Sequence, residues 1–323
     1  MSIFNTGKSL IHKNRVIPVF LTISDDYAPY AACTIASLIK HSNTKKHYRV
    51  VILYDKLSFK NYFRLRNLVT KNCEIQFHKI THSLYLRTII NHCSKKTGAG
   101  DFFSSAVYYY RSFIARLYPM YNKAIYIDSD TILRDDIANL YDIDLGDNIV
   151  GAVVDKKVEN VPEFRKYVER ALGVPHTEYV NSGVLLIDLK KMRKIRYLSK
   201  MVNMINTFDA NLVAPDQDYL NVICRGKILH LDDAWNAQPN GNLKKAKLVH
   251  YNLFKKPWQC DGVEGEDLFW GAAEKTGYYN DLLESKKMHS VKETRIKEAQ
   301  IAALIKKADE LSKLKEPIIK NLW

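Results

Sequence analysis

Short apolar runs alternate with helix-period stretches along most of this chain. Residues 17–23 form a seven-residue apolar run of strand length, followed by Asp25-Asp26 and a helical pattern over 29–40 with Pro29 in its first turn. A second strand is predicted over 48–54, a helix capped by Ser58 running to about Lys71, and a third strand over 73–80. This βαβαβ opening predicts a parallel sheet of the kind that binds nucleotides. No Gly-x-Gly-x-x-Gly follows the first strand, so the dinucleotide fingerprint is missing.

Residues 81–100 show no clear period. A helix is expected over 104–118, leading through Asn122-Lys123 into a strand that ends at Asp128. Further strands are expected over 149–154, within 180–189 and over 248–251, with a helix opened by Pro215 and acidic residues. The last segment differs: Leu304, Ala308, Leu311, Leu314 and Ile318 recur at helical spacing among lysines, interrupted near Pro317, and Trp323 closes the chain. The expected organisation is one nucleotide-binding domain over 1–285 and a basic amphipathic helical tail over 286–323. The tail carries ten Lys or Arg against five Asp or Glu, which suits packing on the domain, docking on an anionic membrane surface, or a partner helix.

A chain of 323 residues with 46% hydrophobic and 26% charged residues buries a sizeable core. Five cysteines without a Cys-x-x-Cys argue for reduced thiols in a cytoplasmic protein rather than a disulfide framework or zinc site. No run reaches the length of a membrane span, and the first apolar run is too short for a secretory signal. The net charge of +14 calls for polyanionic partners and does not choose between nucleic acid, anionic lipid and phosphorylated ligands.

The chemistry concentrates at predicted strand ends. Tyr126-Ile127-Asp128-Ser129-Asp130 sets two carboxylates one residue apart after a buried strand. In an extended chain such side chains share a face, and two like charges so close need a cation between them, or one must hold its proton. Oxygen ligands on an open site suit Mg2+ or Mn2+ bridging to phosphate. Asp155, Asn181, Asp216, Gln217 and His250 also stand at element ends, and Lys256 follows six residues after His250. A phosphatase of the haloacid-dehalogenase type, with Asp128 as nucleophile, is a rival reading of the same Asp-Ser-Asp. A non-enzymatic basic nucleic-acid or membrane binder is a second.

Six segments taken together resemble the family 8 retaining glycosyltransferases of the GT-A fold, which include bacterial lipopolysaccharide glucosyl- and galactosyltransferases and glycogenins. They are Ser24-Asp25-Asp26-Tyr27, Arg111, Tyr126 through Asp130, Asn181-Ser182-Gly183, Asp216-Gln217-Asp218, and His250-Tyr251 with Lys256-Pro257-Trp258. They occur in the family's order over about three quarters of the chain. The resemblance implies an α/β GT-A fold with a mixed, mostly parallel sheet flanked by helices. It implies Asp128, Asp130 and His250 as ligands of Mn2+ or Mg2+, with Ser129 between them and Lys256 on the diphosphate of a UDP-sugar. Ser24, Asp25 and Tyr27 would meet uracil and ribose. Arg111, Asp155, Asn181, Asp216 and Gln217 would surround the hexose, the last four as the catalytic set. A glucose or galactose unit would pass to a hydroxyl of a surface glycan, glycolipid or lipopolysaccharide acceptor, at the inner face of the membrane and with no nucleic-acid partner. The chain departs from the family twice: Leu253 stands where relatives often carry glycine, and the first acidic cluster admits a one-residue shift among Ser24, Asp25 and Asp26.

Overall fold

The computed structural model describes residues 16–81, 83–95, 105–208, 212–239, 241, 243–253, 255–289, 291–314 and 316. Its centre is a seven-stranded sheet. The strands are β1 (Val16–Ile23), β2 (His47–Tyr54), β3 (Cys73–Lys79), β4 (Lys123–Ile127), β6 (Val150–Ala152), β7 (Val184–Asp188) and β8 (Ile228–His230), and a separate pair is formed by β5 (Thr131–Leu133) and β9 (Leu248–His250). The sheet order is β3-β2-β1-β4-β7-β6-β8. β1 pairs in parallel with β2 and β4, β2 with β3, and β6 with β8, while β7 runs antiparallel to both its neighbours. The sheet is therefore mixed and mostly parallel, as expected.

Both faces are covered, so the central strands read as continuous apolar runs. Alternation still sorts their side chains. Ile17, Val19, Leu21 and Ile23 of β1, with Ile125 and Ile127 of β4, enter one core; Phe20, Ala124 and Tyr126 enter the other.

Three expectations change. The stretch 81–100 contains a helix, Leu84–Ser94, whose N-terminus is capped by the Ser83 hydroxyl accepting from Leu86 N–H. Ser104, the expected start of the helix over 104–118, lies outside the described residues, and the described part is a 3-10 helix (Ala106–Phe113) leading into the short α-helix Ile114–Leu117. The helix after Ser58 ends at Arg66, short of Lys71.

The tail is a helix from Val291 to Ser312; Pro317, Ile318 and Trp323 lie outside the described residues. Leu304 and Ala308 are buried in the core shared with Phe164, Tyr167 and Val168 of the helix Pro162–Arg170, along which the tail helix packs. Leu304 and Ala308 of the apolar stripe are thus turned into the domain, Leu311 is partly buried and Leu314 is exposed, and the expected boundary at residue 285 falls inside the helix Tyr279–Met288. No helix among the described residues is long and apolar enough to cross a membrane. Ala308→Asp sets a charge on a side chain with no exposure. It should cost about 3 kcal/mol and lower the melting midpoint by roughly 5 to 10 °C. The exposed Lys306→Asp should melt with the wild type; equal melting of all three proteins would show the helix is not packed.

Candidate active site

Backbone pairing gathers the site from distant segments. β4 ends at Ile127, and residues 128–130 turn into β5, with Thr131 Oγ1 donating to the Asp128 carbonyl at 2.8 Å. Asp128 and Asp130 thus converge across a tight turn rather than along an extended strand. β5 pairs with β9 so that Thr131 faces His250, and Tyr251 N–H donates to the Asp130 carbonyl at 3.0 Å. On the other side Asp128 N–H donates to the Gly183 carbonyl at 2.7 Å. A bridge between Val154 and Val180 brings Asp155 beside Asn181.

The result is one cluster. Ligand atoms of Asp128, Asp130 and His250 all lie within 4.8 Å of one another. His250 Nε2 is 3.2 Å from Asp130 Oδ1 and 3.7 Å from Asp128 Oδ2. Two carboxylates and one imidazole, partly open to a cavity, match the donor set of Mn2+ or Mg2+. A Cβ on Gly183 would stand 2.3 Å from His250 Cε1 and 2.7 Å from Asp128 Oδ2, so the approach of the two ligands requires glycine there.

Cations balance the carboxylates. Lys256 Nζ donates to Asp130 Oδ2 at 2.5 Å and to the Tyr251 carbonyl at 2.6 Å. Burial opposes ionisation of Asp130, but Lys256 and His250 more than offset it and hold that carboxyl well below the usual range. The buried Arg111 guanidinium lies 3.1 Å from Asp128 Oδ1 and 3.2 Å from Asp216 Oδ2, over the Tyr126 ring, and donates to the Ser182 carbonyl. Burial raises the Asp216 carboxyl above its ordinary value and Arg111 counters part of that. Tyr126 Oη donates to Asp128 Oδ1 at 2.6 Å.

A second network adjoins the first. Asp155 Oδ2 accepts from Asn181 Nδ2 at 3.0 Å and from Gln217 Nε2 at 2.9 Å. Gln217 Oε1 accepts from Ser182 N–H at 3.0 Å, which fixes its amide orientation. Asp218 takes hydrogen bonds from Tyr167 and Tyr179 and from Ala214 N–H, pinning the start of the helix Pro215–Ile223 that carries Asp216 and Gln217.

A cavity of about 420 Å3 connects these groups. Ser24, Asp26, Tyr27 and Tyr108 stand along it, as do Arg111, Asp128, Ser129, Asp130, Asp155, Asn181, Asp216, Gln217, His250 and Lys256. Asp25 does not: its carboxylate accepts from Ser58 N–H at 2.7 Å and Asn61 Nδ2 at 2.9 Å, tying the first acidic turn to the next helix. Asp26 is the member of that pair that borders the cavity. Leu253 also lines it and holds φ 62°, the left-handed backbone that glycine adopts without strain.

No local pattern in the sequence points to Asn236. Its amide bridges the two networks, donating to Asn181 Oδ1 at 2.9 Å while its Oδ1 lies 2.8 Å from His250 Nδ1. That contact makes Nδ1 the protonated nitrogen and leaves Nε2 free toward the carboxylates.

Residues 18–262 match the family described as glycosyl transferase family 8. A putative glycosyltransferase of Haemophilus influenzae is 30% identical over 250 residues, covering 76% of this chain and 70% of that protein. The lipopolysaccharide 1,2-glucosyltransferase of Escherichia coli is 30% identical over 199 residues, 56% of this chain and 55% of that one. Among solved structures, the apo bifunctional glycosyltransferase WbbM superposes with a TM-score of 0.71 at 24% identity, over 84% of this chain and 52% of that longer one. The galactosyltransferase LgtC, solved with donor and acceptor sugar analogs, gives 0.66 at 22% identity over 81% and 96%. The fold is GT-A, and the chain belongs to glycosyl transferase family 8.

Proposed function

We propose that this glycosyltransferase moves a hexose, glucose or galactose, from a UDP-sugar to a hydroxyl of a surface glycan, glycolipid or lipopolysaccharide acceptor, with retention at the anomeric carbon. The observation that carries the reading is the triangle of Asp128, Asp130 and His250 beside Lys256, on the wall of one continuous cavity. Ser24, Asp26 and Tyr27 would receive the uridine, and Asp25 would act on it only through the turn it braces. Arg111, Asp155, Asn181, Asp216 and Gln217 would surround the hexose.

Breaking the bond between the anomeric carbon and the diphosphate releases negative charge. Mn2+ or Mg2+ held by Asp128, Asp130 and His250 would supply Lewis-acid stabilisation of that charge. Lys256 would add a point charge to the same oxygens, exchanging its bond to Asp130 for one to phosphate. Asp216 and Gln217 offer oxygen atoms to the developing positive charge on the sugar, with Arg111 and Ser182 fixing their positions. Asp155 accepts from both Asn181 and Gln217 and is thereby held as part of this frame rather than free to attack carbon. Front-face attack by the acceptor hydroxyl, its proton passing to the departing phosphate oxygen, fits such a site best.

The family match removes the phosphatase and non-enzymatic readings. Asp128 is in any case engaged by Tyr126 and Arg111 instead of standing free as a nucleophile. With Leu304 and Ala308 turned inward, peripheral contact with an anionic membrane would rest on exposed lysines such as Lys306 and Lys313 together with the exposed Ile296 and Leu314. The support for a lipopolysaccharide-type acceptor is the similarity to the Escherichia coli glucosyltransferase.

A panel of UDP-sugars with Mn2+ should give UDP release with UDP-glucose or UDP-galactose. Asp130→Asn should lower that rate at least 100-fold; equal release by both proteins would refute the metal assignment. Asn236→Ala removes the partner of His250 Nδ1 and should weaken Mn2+ binding roughly 10- to 100-fold with little change in melting. Unaltered Mn2+ affinity would show that the bridge does not orient the ligand.

A further inference from the structure

The helix Phe59–Arg66 turns its aromatic residues outward. Leu65 is the one residue of the eight that is fully buried. Phe59 is 82% exposed, Phe63 49%, and Val69 in the turn that follows 48%. Phe59 and Phe63 stand one helical turn apart, and their rings stack at 6.2 Å with 26° between the planes. Tyr62 extends the group, its ring 5.6 Å from Phe63 and 4.3 Å from Phe77 of β3. One exposed phenylalanine needs no explanation, but two stacked rings form an apolar ridge that water does not favour.

The inner side of the helix is anchored, so the ridge is held in place. The Ser58 backbone N–H and the Asn61 amide both donate to Asp25, whose neighbours Ser24 and Asp26 border the cavity. Arg64 pairs with Asp281 and lies 4.9 Å from the centre of the Tyr278 ring. Basic residues surround the ridge. From Lys56 to Lys71 the chain carries Lys56, Lys60, Arg64, Arg66 and Lys71 and no Asp or Glu. Lys60 keeps a side chain 65% exposed, and Lys56, Arg66 and Lys71 are exposed as well. Arg66 continues the stripe of Phe59 and Phe63 at helical spacing.

Apolar rings flanked by cations, with no acid among them, match the boundary of an anionic bilayer. Rings enter the acyl edge while ammonium and guanidinium groups stay with the lipid phosphates. The tail is a poorer match, because its exposed Ile296 and Leu314 stand near opposite ends with Glu298 and Glu310 exposed between them. We propose that the ridge of Phe59 and Phe63 is a membrane-docking surface that seats the enzyme on anionic phospholipid. The proposal rests on the reading of a membrane-borne acceptor and deepens it. Through Asp25 the docked helix holds the rim of the cavity beside the lipid surface.

Sedimentation of the full chain with vesicles of phosphatidylcholine, alone or mixed equally with phosphatidylglycerol, tests this. The wild type should sediment with the mixed vesicles and lose most of that binding at high salt. Phe59→Ser with Phe63→Ser should weaken the partitioning at least tenfold, and so should Lys56→Gln, Arg66→Gln and Lys71→Gln together. Ile296→Ser with Leu314→Ser should change it by less than about twofold, and every variant should release UDP from the donor at the wild-type rate without vesicles. Undiminished sedimentation of the phenylalanine variant would overturn the proposal. A wild type that ignores the vesicles but forms a dimer broken by the same two changes would give the ridge to a second copy and overturn it too. Vesicle binding through the ridge without UDP release would support docking while sinking the donor reading. UDP release without vesicle binding would do the reverse.

Discussion

Two carboxylates forced together at the end of β4 are the constraint to which the rest of the site answers. Asp128 and Asp130 repel one another, and water cannot screen them fully in a partly closed cavity. The chain meets this with polar groups from separate places, Arg111 and Lys256 among them as cations. Arg111 arrives from the helical segment before β4, and His250 and Lys256 from β9 and the loop after it. Each is fixed by hydrogen bonds to backbone carbonyls or to a neighbouring amide, so the charges are placed before any ligand arrives. Such preorganisation lets a site stabilise a leaving diphosphate without reorganising at the moment of reaction.

The sheet explains how so many segments meet at one point. β4 lies between β1 and β7, where strand direction reverses, and the cavity opens beyond its carboxyl end. β7 enters antiparallel, so it is the start of that strand, with Asn181-Ser182-Gly183 before it, that lies against the end of β4. Gly183 is indispensable to this meeting because both His250 and Asp128 press against the place its side chain would fill. The small β5–β9 ladder then brings in His250 from more than a hundred residues away.

Much of this was legible in the sequence. Strands with long apolar runs and the helix opened by Pro215 stand out because their local pattern and their tertiary role agree. Asp128, Asp130, Asp155, Asn181, Asp216, Gln217, His250 and Lys256 could be singled out because they are polar residues at the ends of such elements. Three features were not legible. The helix Leu84–Ser94 mixes polar and apolar residues without a sustained period, and its cap gives a weak signal. Asn236 acts through partners 55 and 14 residues away, a relation no local pattern contains. Asp25 and Asp26 are chemically alike, and only the position of the next helix decides which is spent on structure. The tail reads in sequence as a helix in search of a surface, and the surface proved to be the domain itself.

The central claim is that a divalent cation at Asp128, Asp130 and His250 and a nucleoside diphosphate bind as one unit. Its most direct test is the titration of UDP into the wild-type protein with and without Mn2+, paired with the titration of Mn2+ with and without UDP. Linkage requires the two enhancements to be equal, and the account predicts a factor of roughly ten or more in each direction. UDP affinity that is the same in Mn2+ and in EDTA would contradict it.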